Sequence, residues 1–380
     1  MTRTYARRAV ATVAALTAGA LALAPLAPAL ADAGGGQGKV LESRLRRLTA
    51  EDGMAGALAR VQDERGDGRT VVSGTAELGT GRPMVGAGAS FRIASMTKPV
   101  LAVTVTRLAE RGKVRLDAPV ERYLPGMVRG RGAGAAIDGR KMTVRDLLRH
   151  TSGLPDYTGA IDWTDLPDDY LAPALAMEPT PAGRFAYSNT NYLLLGRIVQ
   201  AVTGEDFRTV SRRLVLQPLG MRDTYWPAKG EMGIRGEHAH TYGVSPADPE
   251  AGVVDLTRMP GYEFGASGGL ISTPDDLNRF WKGVFGGKVM SAKALRTMTG
   301  DLVRVTEPGW PDQARYGSGM SRARLSCGTV WMHGGDLPGV SVLSGRDERG
   351  RQATVYVTGL AATQEQREHL IDAFDAAICE

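Results

Sequence analysis

Ser90-Phe91-Arg92-Ile93-Ala94-Ser95-Met96-Thr97-Lys98-Pro99-Val100 is the stretch from which the rest of the chain can be worked out. Ser95 and Lys98 form an S-x-x-K pattern, and three residues make about one turn of α-helix, so both side chains lie on one face. Ser90 to Ile93 has the character of a strand end. Val100, Val103, Val105 and Leu108 then form an apolar stripe at helical spacing, and Gly112 supplies a stop. Pro99 falls in the first turn, where a missing N–H costs little. Ser95 therefore stands at a helix N-terminus, where free N–H groups favour a developing negative charge. A serine hydroxyl is a poor nucleophile until a neighbour takes its proton, and a lysine one turn on can do so. Two fixed positions in four also recur by chance, with a solvated Ser and Lys at a helix start, so the rest of the chain must decide.

The chain has 380 residues, 43% hydrophobic and 23% charged, which permits one large domain or two smaller ones with a sizeable core. Residues 1–31 read as a signal peptide. Arg3, Arg7 and Arg8 form a basic start, Ala9 to Leu23 is apolar, and Ala29-Leu30-Ala31 is an A-x-A cleavage site. Pro25 and Pro28 break the apolar run, which is short for a membrane span. The expectation is therefore a secreted protein with no transmembrane anchor after cleavage, exported by the general or the twin-arginine route. Removing Arg3, Arg7 and Arg8, with no acid lost, lowers the formal charge from +5 to +2. That leaves no electrostatic case for nucleic acid.

Residues 32–38 are Gly-rich and read as a flexible leader, followed by one domain over 39–380. Val40 to Ala50 has helical spacing. Gly56 to Gln62 and Thr70 to Ala76 read as a strand pair. The span of about 116–259 has helical pieces joined by Pro- and Gly-rich loops, and Gly130 to Gly134 reads as a mobile loop. After Gly261, Pro274 to Phe285 and Ser291 to Met298 read as helices, the first capped by Thr273. Thr329 to Met332, Gly339 to Ser344 and Ala353 to Thr358 read as strands, and Gln364 to Cys379 as a helix. The order predicts an α+β fold, an α/β sandwich. Its antiparallel sheet is built from both chain ends and flanked by helices, with a mostly helical insert subdomain in the middle.

Cys327 and Cys379 are the two cysteines. In an exported chain such a pair reads as a disulfide, with two buried thiols as the alternative, and lacks the further soft ligands of a zinc site. His238-Ala239-His240 has no third ligand nearby and reads as loop hydrogen bonding. No metal or other cofactor is expected.

Two further motifs accompany Ser95 and Lys98. Tyr187-Ser188-Asn189 offers a hydroxyl that can act as a base beside a lysine, and an amide that can hold that lysine and a substrate. His333-Gly334-Gly335 stands after a strand, where small residues let a substrate lie against the backbone. Ser-x-x-Lys, Tyr-x-Asn and His-x-Gly in this order resemble the penicillin-recognising serine hydrolases, in the variants of class C β-lactamases and secreted D-alanyl-D-alanine carboxypeptidases. Thr143 to Leu154, Tyr187 to Tyr192, Ser267 to Ser272 and Tyr316 to Met320 carry the likeness along the mature chain. Leu325-Ser326-Cys327-Gly328 with Cys379 resembles the disulfide-bearing carboxypeptidases.

The resemblance implies a DD-peptidase/β-lactamase-like fold and a two-step acyl transfer through Ser95. Lys98 and Tyr187 would share the proton work, with the base left open. Asn189 would position Lys98 and a substrate amide, and His333 would support the proton network. The backbone N–H groups of Ser95 and Asp336 would form the oxyanion hole. The expected partner is a small peptide, ester or β-lactam, bound by a monomer. An esterase or D-amino-acid amidase with the same machinery is the alternative, and an idle binder of penicillin or cell-wall peptide another. The substrate side departs from the carboxypeptidase pattern of His-Thr-Gly-Thr and a following arginine. Gly334 and Asp336 stand at the threonine positions and Ser321 at the arginine position. Arg322 is adjacent but faces the other way on a regular strand. Substrate contact is assigned to Gly334, Gly335, Ser321 and Arg322, and Asp336 is expected to repel a carboxylate.

Overall fold

The computed structural model describes residues 37–162 and 169–379, so the expected signal segment 1–31 and most of the expected leader lie outside the described residues. Helix α1 (Gln37–Ala50) begins within the expected leader and includes Gln37 and Gly38. Leu41, Leu45 and Leu48 recur at helical spacing, and all three are fully buried.

Eight strands form one sheet: β1 (Gly56–Gln62), β2 (Gly68–Gly74), β3 (Val303–Arg304), β4 (Arg315–Tyr316), β5 (Ser321–Leu325), β6 (Gly328–Leu337), β7 (Val340–Asp347) and β8 (Gln352–Val357). Their order is β2-β1-β8-β7-β6-β5-β4-β3, antiparallel throughout. The β1–β8 pairing, Ala57 opposite Val357, joins the two ends of the chain. Alternation decides which layer each side chain enters. Ala57, Ala59, Val355 and Val357 pack in the cluster that holds α1 and the C-terminal helix Gln364–Cys379. Leu58 and Tyr356 belong to the opposite cluster, with Trp281 of helix Pro274–Phe285. That helix starts as predicted, Thr273 accepting from the Asp276 N–H. Trp281 donates to Ser344 Oγ at 2.9 Å, which ties the helix to the sheet. The Cys327–Cys379 disulfide links the β5–β6 turn to the end of the C-terminal helix.

Three features differ from the sequence reading. Strand β6 runs past Met332 to Leu337, so His333 to Asp336 lie within it; Gly334 and Gly335 keep the ladder by pairing with Leu343 and Val342. The predicted mobile loop is pinned instead. Gly130 N–H donates to Ile137 O, Arg131 N–H donates to Leu175 O, and a Cβ on Gly134 would meet Leu175 O at 2.3 Å. The span 116–259 also holds a hairpin, Tyr242–Ser245 with Asp248–Asp255, beside its helices.

Candidate active site

A short strand, Phe91–Arg92, pairs with Ile271–Ser272 and delivers the chain to Ser95. Ala94 takes φ +48°, a left-handed conformation that costs an L-residue energy and turns the chain sharply. The turn Ala94–Met96 leads directly into helix α2 (Thr97–Glu110). Thr97 Oγ1 donates to Ala94 O and accepts from Leu270 N–H, which locks the turn.

Lys98 is fully buried, one turn after Ser95. Its Nζ lies 2.9 Å from Ser95 Oγ, 2.7 Å from Asn189 Oδ1 and 2.8 Å from Ser267 O. Burial lowers its pKa from 10.5 to about 7, against the opposing pull of Asp156. Two of the three neighbours are carbonyl oxygens, which can only accept. An uncharged amine meets all three by donating to these two and presenting its lone pair to the Ser95 hydroxyl.

Asn189 opens helix α3 (Asn189–Thr203) and donates its amide to Asp156, at 3.0 and 3.2 Å from the two carboxylate oxygens. The Tyr187 hydroxyl lies near Ser95, and burial pushes its pKa well above the usual tyrosine value, so it holds its proton at neutral pH. The Lys98 Nζ stands 4.9 Å from the Tyr187 ring centroid. Ser95, Tyr187, Asn189, His333, Gly334, Gly335 and Asp336 line one cleft of about 430 Å³, and Lys98 sits beneath its floor.

His333 lies in the cleft wall, turned to other partners than the expected network. Its Nδ1 side faces Gly334 O, so its Nε2 accepts from the Tyr316 hydroxyl at 2.9 Å. Among the described residues it has no hydrogen bond to Ser95, Lys98 or Tyr187. Burial, with the Lys98 charge, lowers its pKa to about 3, so the ring is neutral. A Cβ on Gly335 would lie 2.4 Å from Ile93 O and 3.0 Å from Ser95 N. Only glycine lets β6 approach the Ser95 amide this closely.

The substrate-side residues are redistributed. Ser321 is buried and donates to Met332 O, while Arg322 is exposed, and neither lines the cleft. The register places Arg322 opposite Trp331 with no bulge to re-aim it. Asp336 is not a free charge. It accepts from Ser341 Oγ at 2.6 Å and pairs with Arg367 of the C-terminal helix at 3.0 Å, so its expected repulsion of a carboxylate is largely cancelled.

Sequence reasoning misses Asp156, Glu307, Trp310, Arg367 and His150. His150 ends helix Val144–Arg149 in a left-handed conformation and stacks on Tyr187 with ring centroids 4.4 Å apart. Its Nδ1 accepts from Ser188 N–H, which makes it a neutral support beneath the tyrosine. The one signal for it is its place in His150-Thr151-Ser152-Gly153. His238 and His240 lie elsewhere, bonded to Gly236 O and Asp255.

The family described as Beta-lactamase matches residues 41–378. Esterase EstB of Burkholderia gladioli is 40% identical over 169 residues, 40% of this chain and 41% of that protein. Putative penicillin-binding protein PbpX of Bacillus subtilis is 26% identical over 283 residues, 71% of this chain. The chain spans 62% of the length of PbpX and less than half of EstB. The solved D-stereospecific amidohydrolase from Streptomyces sp. superposes with a TM-score of 0.76 at 30% identity, covering 90% of this chain and 98% of the other. A match across nearly all the described residues, on this sheet and this serine–lysine turn, shows that the chain belongs to the beta-lactamase family.

Proposed function

We propose that this chain is a secreted, monomeric serine hydrolase that cleaves amides and esters through an acyl-enzyme on Ser95. The observation that carries the reading is the buried Lys98 Nζ, 2.9 Å from Ser95 Oγ, with its other contacts taken by carbonyl oxygens. The Lys98 lone pair takes the Ser95 proton as Oγ attacks the substrate carbonyl. The backbone N–H groups of Ser95 and Asp336 hold the oxyanion, supported by the close approach that Gly335 permits. Collapse expels the leaving group, which gains the proton from Lys98 by way of the Tyr187 hydroxyl. Water then repeats the attack on the acyl-enzyme, and Ser95 recovers its proton.

In substrate terms the reading is D-amino-acid amides, peptides and activated esters, with β-lactams as acylating analogues. Strict carboxypeptidase action is the weaker reading. A terminal carboxylate needs a free cation, yet Arg367 is engaged by Asp336 and Arg322 stands outside the cleft. The similarity to an esterase and to a D-stereospecific amidohydrolase supports the broader choice. An idle binder has no use for a depressed lysine pKa beside a serine. The disulfide and the N-terminal segment support secretion. Among the described residues no helix is long and apolar enough to cross a membrane.

The test is intact mass spectrometry of the mature chain over time with a penicillin and with a p-nitrophenyl ester. An adduct that forms and decays with wild type, and is absent with Ser95→Ala, is expected. Absence of any adduct or turnover refutes the reading. Rates on an acyl-D-Ala-D-Ala peptide and its C-terminal amide should differ less than about tenfold. A strong preference for the free acid, lost in Arg322→Ala or Arg367→Ala, would establish the carboxypeptidase instead.

A further inference from the structure

Glu307 is a carboxylate in the cleft for which the hydrolytic steps have no use. It is half-buried and lines the same cavity as Ser95. One carboxylate oxygen accepts the Tyr187 backbone N–H at 2.8 Å. Among the described residues its other oxygen has no hydrogen-bond or ion-pair partner. Burial and the nearby Asp156 charge raise its pKa, the mark of a carboxylate short of solvation and of positive charge. Trp310, three residues on, lines the cleft beside it, with its ring centroid 6.0 Å from that of Tyr187. A carboxylate and an aromatic ring lining one cleft are the chemistry that receives an ammonium group. The cleft's arginine, Arg367, packs against Gly309 of the same loop, but its guanidinium is taken by Asp336 and Ala361 O and makes no ion pair with Glu307 among the described residues.

The position also sets the distance. The Tyr187 hydroxyl lies near Ser95 and the Tyr187 backbone N–H donates to Glu307, so about one tyrosine length separates the carboxylate from the nucleophile. An ammonium next to the scissile carbonyl falls short of Glu307, whereas one on an extended arm reaches it. We propose that Glu307, with the Trp310 ring, is a cation subsite that selects substrates bearing an ammonium on an arm running along Tyr187. The proposal rests on the assignment of Ser95 as nucleophile and adds the substrate class.

The probes are p-nitrophenyl esters of linear acids ending in a primary ammonium, each paired with its methyl-ended isostere, with short, medium and long methylene spacers. With wild-type protein the long ammonium ester should exceed its isostere in kcat/KM by about tenfold or more, and the shortest pair should show little preference. Glu307→Gln keeps an acceptor for the Tyr187 N–H and should reduce the long-spacer ratio to roughly one, whereas Glu307→Lys should invert it. A wild-type ratio near one, or a preference that survives Glu307→Gln, overturns the proposal. Should no ester be turned over, the Ser95 assignment fails separately. Calorimetric titration of Ser95→Ala with a long alkylammonium and the matching alkanol then decides the subsite. Tighter ammonium binding that is lost on adding Glu307→Gln supports it, and equal binding overturns it.

Discussion

Replacing Asp156 by asparagine should move the acid limb of the activity profile to lower pH. Lys98 must be uncharged to accept the Ser95 proton, so kcat/KM rises with pH through its pKa of about 7. Burial has already lowered that pKa, and the Asp156 carboxylate holds it up by stabilising the ammonium. The Asn189 amide bridges the two groups, with bonds of 2.7 Å to Lys98 and 3.0 Å to Asp156. Their charges are therefore no more than roughly 8 Å apart. At an effective dielectric constant of about 20 that is roughly 2 kcal/mol, or about 1.5 pH units. Water entering the cleft reduces this, so a downward shift of about one unit is expected. At pH 6 the fraction of free amine would rise about fivefold. The asparagine side chain of Asp156→Asn can still accept from Asn189, so the geometry is kept. The assay is kcat/KM for a p-nitrophenyl ester from pH 5 to 9, wild type against Asp156→Asn. Neither nearby histidine can supply the limb, because burial lowers His333 to about 3 and His150 well below 6.5. A limb that stays in place, or moves upward, would refute Lys98 as the titrating base.

Tyr187→Phe keeps the ring that stacks on His150 and removes the hydroxyl, so turnover should fall by about 10² with little change in melting temperature; a melting collapse with normal specific activity would make the residue structural. Gly335→Ala puts a Cβ 2.4 Å from Ile93 O and should force β6 away from the Ser95 amide, lowering kcat by about 10² or more while circular dichroism stays native. Wild-type activity in that variant would show that β6 does not complete the oxyanion hole. The Cys327–Cys379 bridge closes a 52-residue separation, so replacing both cysteines by serine should cost roughly 4 kcal/mol in denaturant unfolding. An unchanged midpoint would mean the bridge does not restrain the unfolded chain.

Local spacing carries much of this protein. One helical turn between Ser95 and Lys98 obliges the two side chains to meet, and they do so at 2.9 Å. Period-two alternation in the strands and period-3.6 stripes in the helices mark out the layers, because burial on one face or both leaves that trace in any chain. Tyr187 and Asn189 are legible only through order and likeness, since nothing local says that a residue 91 positions away will grip Lys98. The sequence pattern ends strand β6 too early because two consecutive glycines weaken it. Their partners Leu343 and Val342 hold the ladder from outside.

Tertiary structure alone decided the electrostatics. The Lys98 pKa depends on being enclosed by groups from four separate segments, and desolvation is a property of an environment, with no trace in the order of residues. Along the chain Asp336 is a lone acid, and only the C-terminal helix brings Arg367 to it across 31 positions. Arg322 has the look of a spare cation, but the β5–β6 register faces it outward opposite Trp331. Glu307 sits in a loop whose sequence pattern has no period, and only the fold sets it against Tyr187. Sequence by itself determines the relations between neighbours along the chain, because helix and strand geometry repeat. The sign and strength of charge in the cleft depend on which distant groups share it and how much water they exclude, and that exists only after folding.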